Sequence, residues 1–239
     1  MRGLILAFQM LTRLPMPVLR VVGVPAQAAG WFPLAGLVVG ALVSLPLIWI
    51  PDPRLAALVA LLLWVWVTGG LHLDGLADLT DALGAVHKAT QQNRARFLAV
   101  LADPHVGSFG VIALVLQLMT KFVLLWLLAE ADAGGWVLPL IAAWARLGAL
   151  VWGQSLPSLK PGLGAQFSWR TGRWASLIWL LALLAMSAMW TPALIVAPGV
   201  LWAWWLFLRQ RLGGMSGDCL GAGIEGVESL LLLAAWSLL

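Results

Sequence analysis

Asp74, Asp78 and Asp81 stand in the stretch TGGLHLDGLADLTDALG, Thr68 to Gly84, directly after an apolar run. Around a helix they fall at about 0°, 40° and 340°, so the three carboxylates form one acidic stripe. An ionised carboxylate facing lipid at mid-helix costs roughly 2.5–3.5 kcal/mol, which predicts that the stripe faces a watery cavity able to hold cations. A second acidic block, GGMSGDCLGAGIEGVE, runs from Gly213 to Glu228 and puts Asp218 and Glu225 on a shared helical face. Its glycines permit close backbone approach by a phosphate or a facing helix. Asp74, Asp78, Asp81, Asp103, Asp218, Glu225 and Glu228 are most of the chain's 10 acidic residues, a concentration that scattered solubilising charge would not give.

Hard oxygen donors without cysteine suit Mg²⁺ or Mn²⁺ carrying a phosphorylated substrate, and so a metal-assisted phosphoryl or phosphodiester transfer. The stripe is about 10 Å long, too long for one ion, so two ions, or one ion and a base, are expected. Lys121 and Arg146 lie inside apolar runs, where a charge normally faces the bundle interior. They read either as counter-ions for the stripe or as phosphate contacts. His72 reads as an interfacial or substrate-contacting side chain, since His72, His87 and His105 lack the close spacing of a zinc site.

The elements that must position these groups belong to a membrane protein. Of 239 residues, 62% are hydrophobic and 10% charged, and the mean hydropathy is +0.96, more apolar surface than one soluble core could hide. The fold class is therefore all-α: a polytopic helical bundle of about seven transmembrane helices (six to eight), forming a single catalytic domain over residues 1–239. The expected spans run approximately 31–50, 55–73, 110–129, 136–153, 174–190, 192–208 and 222–239, with breaks at Pro51, Pro53, Gly134, Gly135 and Pro192. Before them, MRGLILAFQMLTRLPMP reads as an amphipathic helix at the membrane surface, because Gln9 and Arg13 shorten the apolar run that a signal peptide needs.

Lys and Arg accumulate in alternate connections, which puts the N-terminus and the acidic blocks on the cytoplasmic side of the membrane, with Arg54 alone against the rule. The long connection 74–109 is then cytoplasmic, and its segment TQQNRARFLAVLA has the spacing of a helix lying across the membrane face. The net charge of +4 comes from bases scattered singly, so it is a topology signal and not a nucleic-acid footprint. Membrane lipid and small molecules are the expected partners, and a homo-oligomer is possible. Cys219 is the only cysteine, so no intrachain disulfide can form.

Both acidic blocks resemble the signatures of the cobalamin synthase family, adenosylcobinamide-GDP ribazoletransferase. TRLPMP (Thr12 to Pro17), WFPLAGLVVG, DPHVGSFG (Asp103 to Gly110), Lys121, Arg146 and GLGAQF (Gly162 to Phe167) extend the likeness along nearly the whole chain. The resemblance implies an Mg²⁺-dependent membrane enzyme of late vitamin B12 synthesis. Such an enzyme joins the adenosylcobinamide phosphate of adenosylcobinamide-GDP to α-ribazole, or its 5′-phosphate, and releases GMP. By position, Asp74, Asp78 and Asp81 would be catalytic and bind metal, with Asp218 and Glu225 completing or orienting the metal site. Lys121 and Arg146 would stabilise phosphate charge, and His72 and Asp103 would contact substrate. The sequence departs from the family at Ala82, where glycine is usual, and at Ala102-Asp103-Pro104.

Two other functions use similar residues. A CDP-alcohol phosphotransferase also repeats aspartates after Asp-Gly, but it expects an Arg near the place held by Asp78. A cation-coupled transporter could use the same acids, although no internal repeat supports two similar halves.

Overall fold

The computed structural model of the chain describes residues 2–17, 26–86, 91–132, 134–159 and 173–238. Arg20, Lys88, Lys160, Arg170, His87 and the Gly162 to Phe167 segment lie outside them. The described residues are helical, with one isolated bridge pairing Ser158 with Met215.

The helices are α1 (Arg2–Leu11), α2 (Ala26–Ala29), α3 (Phe32–Trp49), α4 (Pro53–Thr68), α5 (Leu71–Gly84), α6 (Gln91–Val100), α7 (Ser108–Glu130) and α8 (Gly134–Ser155). They are followed by α9 (Arg173–Trp190), a 3₁₀ turn (Pro192–Val196), α10 (Ala197–Phe207), a π turn (Leu208–Leu212) and α11 (Gly217–Ser237). Five helices are long and apolar enough to cross a membrane, or up to six if α4 and α5 form one bent span. Among the described residues six spans lie within the expected six to eight; of the expected segments, 174–190 is the one that forms a shorter apolar helix, Trp174–Trp190.

The bend between α4 and α5 is the main departure from the expected map. Asp52 caps α4 by accepting a hydrogen bond from the Leu55 N–H at 2.8 Å, and Pro53 follows at the first helical position. At the other end Gly69 (φ 63°) and Gly70 (φ 71°) both take the left-handed conformation that a side chain resists, and the chain turns through 85°. The apolar run expected over 55–73 stops at Thr68. The aspartate stripe then starts a new helix across the end of the old one.

Helix α8 is the axis of the bundle: residues 137–150, Trp144 among them, are almost wholly buried, and so is Trp152. Their indole N–H groups donate to Ser187 Oγ and to the Leu201 carbonyl, both at 3.0 Å, so neither is orphaned in the apolar interior. Helix α3 reaches α8 through Gly36 and Gly40. A Cβ on Gly36 would stand 2.8 Å from the Ala143 Cα, and one on Gly40 would stand 2.5 Å from the Pro139 Cα. Small residues four apart let two membrane helices pack backbone to backbone, where van der Waals contact is the main source of association.

Outward faces carry Val111, Ile112, Val115, Leu116 and Met119 on α7 and Trp49, Trp66, Trp136, Trp174 and Trp202 elsewhere, the apolar exposure expected against lipid. Helix α1 buries Leu6, Ala7, Phe8 and Leu11 against the bundle. The segment expected to be helical within 74–109 forms α6, which follows the separate helix α5.

Candidate active site at the crossing of α5 and α11

Helices α5 and α11 cross at glycine. A Cβ on Gly75 would lie 2.9 Å from the Asp218 Cα, and one on Gly221 would lie 3.2 Å from the His72 Cα. Any larger residue would push the helices apart, so Gly75 and Gly221 are what bring the two acidic blocks of the sequence together. Ser216 caps α11 through its hydroxyl, which accepts from the Cys219 N–H at 3.3 Å and donates to Asp218 Oδ2 at 3.1 Å. Asp218 thus sits in the first turn of α11 beside the first turn of α5, where Asp74 sits.

The stripe is graded in depth. Asp74 is exposed, Asp78 half-buried and Asp81 buried. Asp81 Oδ2 accepts from the Gly107 N–H at 2.7 Å and Asp81 Oδ1 from the Gly110 N–H at 2.9 Å. Both oxygens therefore serve the start of α7, where a carboxylate satisfies helix N–H groups and meets the positive end of the dipole. The glycines of DPHVGSFG have a structural cause here: a Cβ on Gly107 would meet Asp81 Oδ1 at 2.5 Å. A helical projection groups the three acids, but it cannot tell that one of them turns onto another helix. Ala82, the departure beside Asp81, is fully buried in the core, where a small residue is all the packing admits.

Beneath the crossing lies a second, wholly buried group. Lys121 Nζ is 2.7 Å from Glu225 Oε2 and 2.5 Å from Glu228 Oε2, and Arg146 Nη1 binds Glu228 Oε1. Gln117 Nε2 donates to Glu225 Oε2 at 2.8 Å and to Ser229 Oγ at 2.9 Å. Lys121 Nζ also stands 4.5 Å over the Trp64 ring, a cation–π contact. His72 is buried with Nδ1 3.4 Å from Arg146 Nη2, while its Nε2 and Arg146 Nε have no hydrogen-bond partner among the described residues.

Two cations and two carboxylates balance, which is how ionised groups persist in an apolar interior. Lys121 and Arg146 are counter-ions, but for Glu225 and Glu228 and not for the aspartate stripe. Glu225 points to Lys121, and so shares α11 with Asp218 at a deeper level.

Asp103 lies apart, in the exposed connection before α7. It accepts from the His105 N–H at 3.0 Å and contacts His105 Nδ1 at 2.7 Å. The His105 backbone N–H, and then its ring, hold the Asp103 carboxyl below the usual carboxylate range.

Sequence reasoning missed the part played by Glu228, Gln117 and Trp64. A signal existed: two cations buried in spans demand two counter-charges, and Glu225 and Glu228 are three apart on one helix.

Among the described residues no three His, Cys, Asp or Glu side chains are grouped closely enough to cage an ion. Asp81 turns to the start of α7 and Glu225 to Lys121, while Asp74 and Asp218 lie in the first turns of α5 and α11, with Asp78 one turn further along α5. Hard carboxylate oxygens of this kind fit Mg²⁺, which is commonly held by one or two carboxylates together with water and substrate phosphates.

A cavity of about 740 Å³ opens beside Asp74, between α1, the α4–α5 bend and α7, and is lined also by Arg13, Gln9 and Leu118. Gly75→Ala is expected to force α5 and α11 apart and lower turnover about tenfold, through overpacking worth about 1–3 kcal/mol, with the chain still inserted. Initial rates at matched protein amounts check this; an unchanged rate would mean that the crossing does not set the chemistry.

Comparison with known proteins gives consistent matches. The family model described as Cobalamin-5-phosphate synthase matches residues 3–236. A relative named adenosylcobinamide-GDP ribazoletransferase from Thiobacillus denitrificans is 55% identical, over 98% of this chain and 95% of its own length. Relatives with the same name from Laribacter hongkongensis and Deinococcus radiodurans are 56% and 40% identical, over 98% and 97% of this chain and 96% and 84% of their own lengths. No solved structure matches.

Proposed function

The chain belongs to the cobalamin-5-phosphate synthase family, and from that premise we propose that it is an adenosylcobinamide-GDP ribazoletransferase acting in the final step of cobalamin synthesis. Its substrates are adenosylcobinamide-GDP and α-ribazole or α-ribazole 5′-phosphate. A ribazole hydroxyl attacks the phosphorus that carries cobinamide, the new O–P bond forms, and the bond to the second phosphate breaks to release GMP. The alternatives of a CDP-alcohol phosphotransferase and a cation-coupled transporter have no support from the relatives.

The observation that carries this reading to a site is the crossing at Gly75, which sets Asp218 beside the aspartate helix. Carboxylates of Asp74, Asp78 and Asp218 would hold Mg²⁺ jointly with water and the substrate's phosphates, since the three are not close enough to cage it alone. The ion would supply charge neutralisation for a diphosphate and its leaving group. A carboxylate of this group takes the proton of the attacking hydroxyl. Asp81 contributes by fixing α5 to the start of α7, and so keeps the other two aspartates in register. The buried ion group below holds α11, α7 and α8 together, so that the crossing does not slide. Lysine and arginine in alternate connections support a site on the cytoplasmic face of a bacterial inner membrane.

The test uses the purified protein in liposomes with adenosylcobinamide-GDP, α-ribazole and Mg²⁺. GMP and a coupled corrinoid should appear together, stop with a chelator and return with Mg²⁺. Folded protein that yields no GMP above a boiled control would refute the activity, and a rate indifferent to chelation would refute the ion.

A further inference from the structure

The motif TRLPMP near the N-terminus has no part in the crossing, yet the structure carries it to the edge of that site. Thr12 ends α1 by donating its hydroxyl to the Phe8 carbonyl at 2.7 Å, and the same oxygen accepts from the Leu14 N–H at 3.3 Å. Gln9 Nε2 donates to the Pro17 carbonyl at 2.7 Å, which folds the chain after α1 back on itself. The Arg13 N–H then donates to the Val67 carbonyl at 2.7 Å, one residue before the end of α4.

These bonds fix Arg13 against the bend. A Cβ on Gly69 would stand 2.9 Å from Arg13 Cγ and would also meet Nε, so Gly69 is required both by its left-handed backbone and by the arginine lying across it. Arg13 and Asp74 line one cavity of about 740 Å³, with Gln9 and Thr12 as further polar groups and Met10, Leu71 and Leu118 among its apolar ones. That volume lies within the roughly 300–1,000 Å³ of pockets that take a drug-sized molecule, with few polar groups on an apolar wall. Arg13 is exposed and makes no ion pair among the described residues.

An arginine whose backbone is bonded to the end of α4, and a carboxylate lining the same cavity, match a phosphate that meets Arg13 directly and Asp74 through a cation. We infer that this cavity is the subsite for the guanosine nucleotide and that Arg13 binds the phosphate that leaves with it. The inference rests on the proposed transferase reading. Negative charge grows on the leaving phosphate as its bond to the transferred phosphorus breaks, and a charge-assisted, forked donor stabilises it there and retains GMP until release.

The test compares wild type, Arg13→Gln and Arg13→Lys in neutral phosphatidylcholine vesicles and in vesicles containing anionic phosphatidylglycerol. Inhibition by GMP and by guanosine and the KM of each substrate are measured. Arg13→Gln should weaken GMP inhibition and raise the KM for adenosylcobinamide-GDP about 10- to 100-fold, the scale of a hydrogen bond to a charged group. The KM for α-ribazole should stay within about twofold. Arg13→Lys should recover only part of the loss, because it keeps the charge without the fork.

Wild type should be inhibited by GMP far better than by guanosine. Equal inhibition by the two would overturn the inference even where Arg13→Gln fails to fold. It also falls if GMP inhibition is unchanged in the variants, or if the only change is a dependence on anionic lipid, which would make Arg13 a headgroup contact. Wild type that forms no GMP at all refutes the transferase reading instead.

Discussion

Glu228→Gln is expected to destabilise the protein by about 3–5 kcal/mol, the usual cost of removing one partner from a buried charge group. Glu228 accepts from Lys121 at 2.5 Å and from Arg146, and all three side chains are almost entirely buried. Gln keeps the shape but leaves the cluster, among the described residues, with one carboxylate, Glu225, for two cations, and with Arg146 Nε already unpartnered there. The effect is read as a lower thermal midpoint of purified protein and as faster proteolysis.

The double variant Glu228→Leu with Arg146→Met removes one charge of each sign and leaves the Lys121–Glu225 pair intact. It should therefore be more stable than Glu228→Gln, since apolar side chains can replace a buried ion pair at little cost. An unchanged midpoint in Glu228→Gln, or a double variant less stable than the single one, would show that charge balance is not what this cluster supplies.

The second large effect separates the three aspartates. Asp74→Asn and Asp78→Asn should each lower turnover by about 10²- to 10³-fold, the scale of losing one electrostatic contact to a reacting group, and for the exposed Asp74 with little change in thermal midpoint. Asp81→Asn should behave differently, because both of its oxygens accept backbone N–H groups at the start of α7. Asn offers one acceptor and turns an amide donor towards the other N–H, which should cost about 1–3 kcal/mol of stability. Added Mg²⁺ should partly rescue Asp74→Asn or Asp78→Asn, and leave Asp81→Asn unaffected. Equal stability loss in all three, or normal rates in all three, would contradict the division of the stripe by depth.

Much of this arrangement is legible before any coordinates. Helical periodicity groups the aspartates, composition demands a membrane bundle, and the glycines around Asp218 already imply close approach. Three features are not legible in the same way. The second apolar run is continuous in hydropathy, but Gly69 and Gly70 take positive φ and end it at Thr68, so the stripe lies on a separate helix.

Asp81 shares a helical face with its neighbours, while its partners, Gly107 and Gly110, lie 26 and 29 residues further along the chain. Periodicity carries no information about such a tertiary contact. Lys121 and Arg146 were recognisable as interior charges, yet the choice between Glu225 with Glu228 and the aspartates depends on depth along α11. Arg13 is a fourth instance: its motif was visible, and only the packing of α1 on the bend brings it to Asp74's cavity.

The central claim is that one site, at the crossing of α5 and α11, handles the diphosphate. The most direct measurement is a structure of the protein in lipid with adenosylcobinamide-GDP and Mn²⁺ in place of Mg²⁺, with the ion located by its anomalous signal. That signal and the diphosphate are expected among Asp74, Asp78 and Asp218, with Lys121 and Arg146 still paired to Glu225 and Glu228. A diphosphate bound by Lys121 and Arg146, or an ion away from the crossing, would contradict the claim.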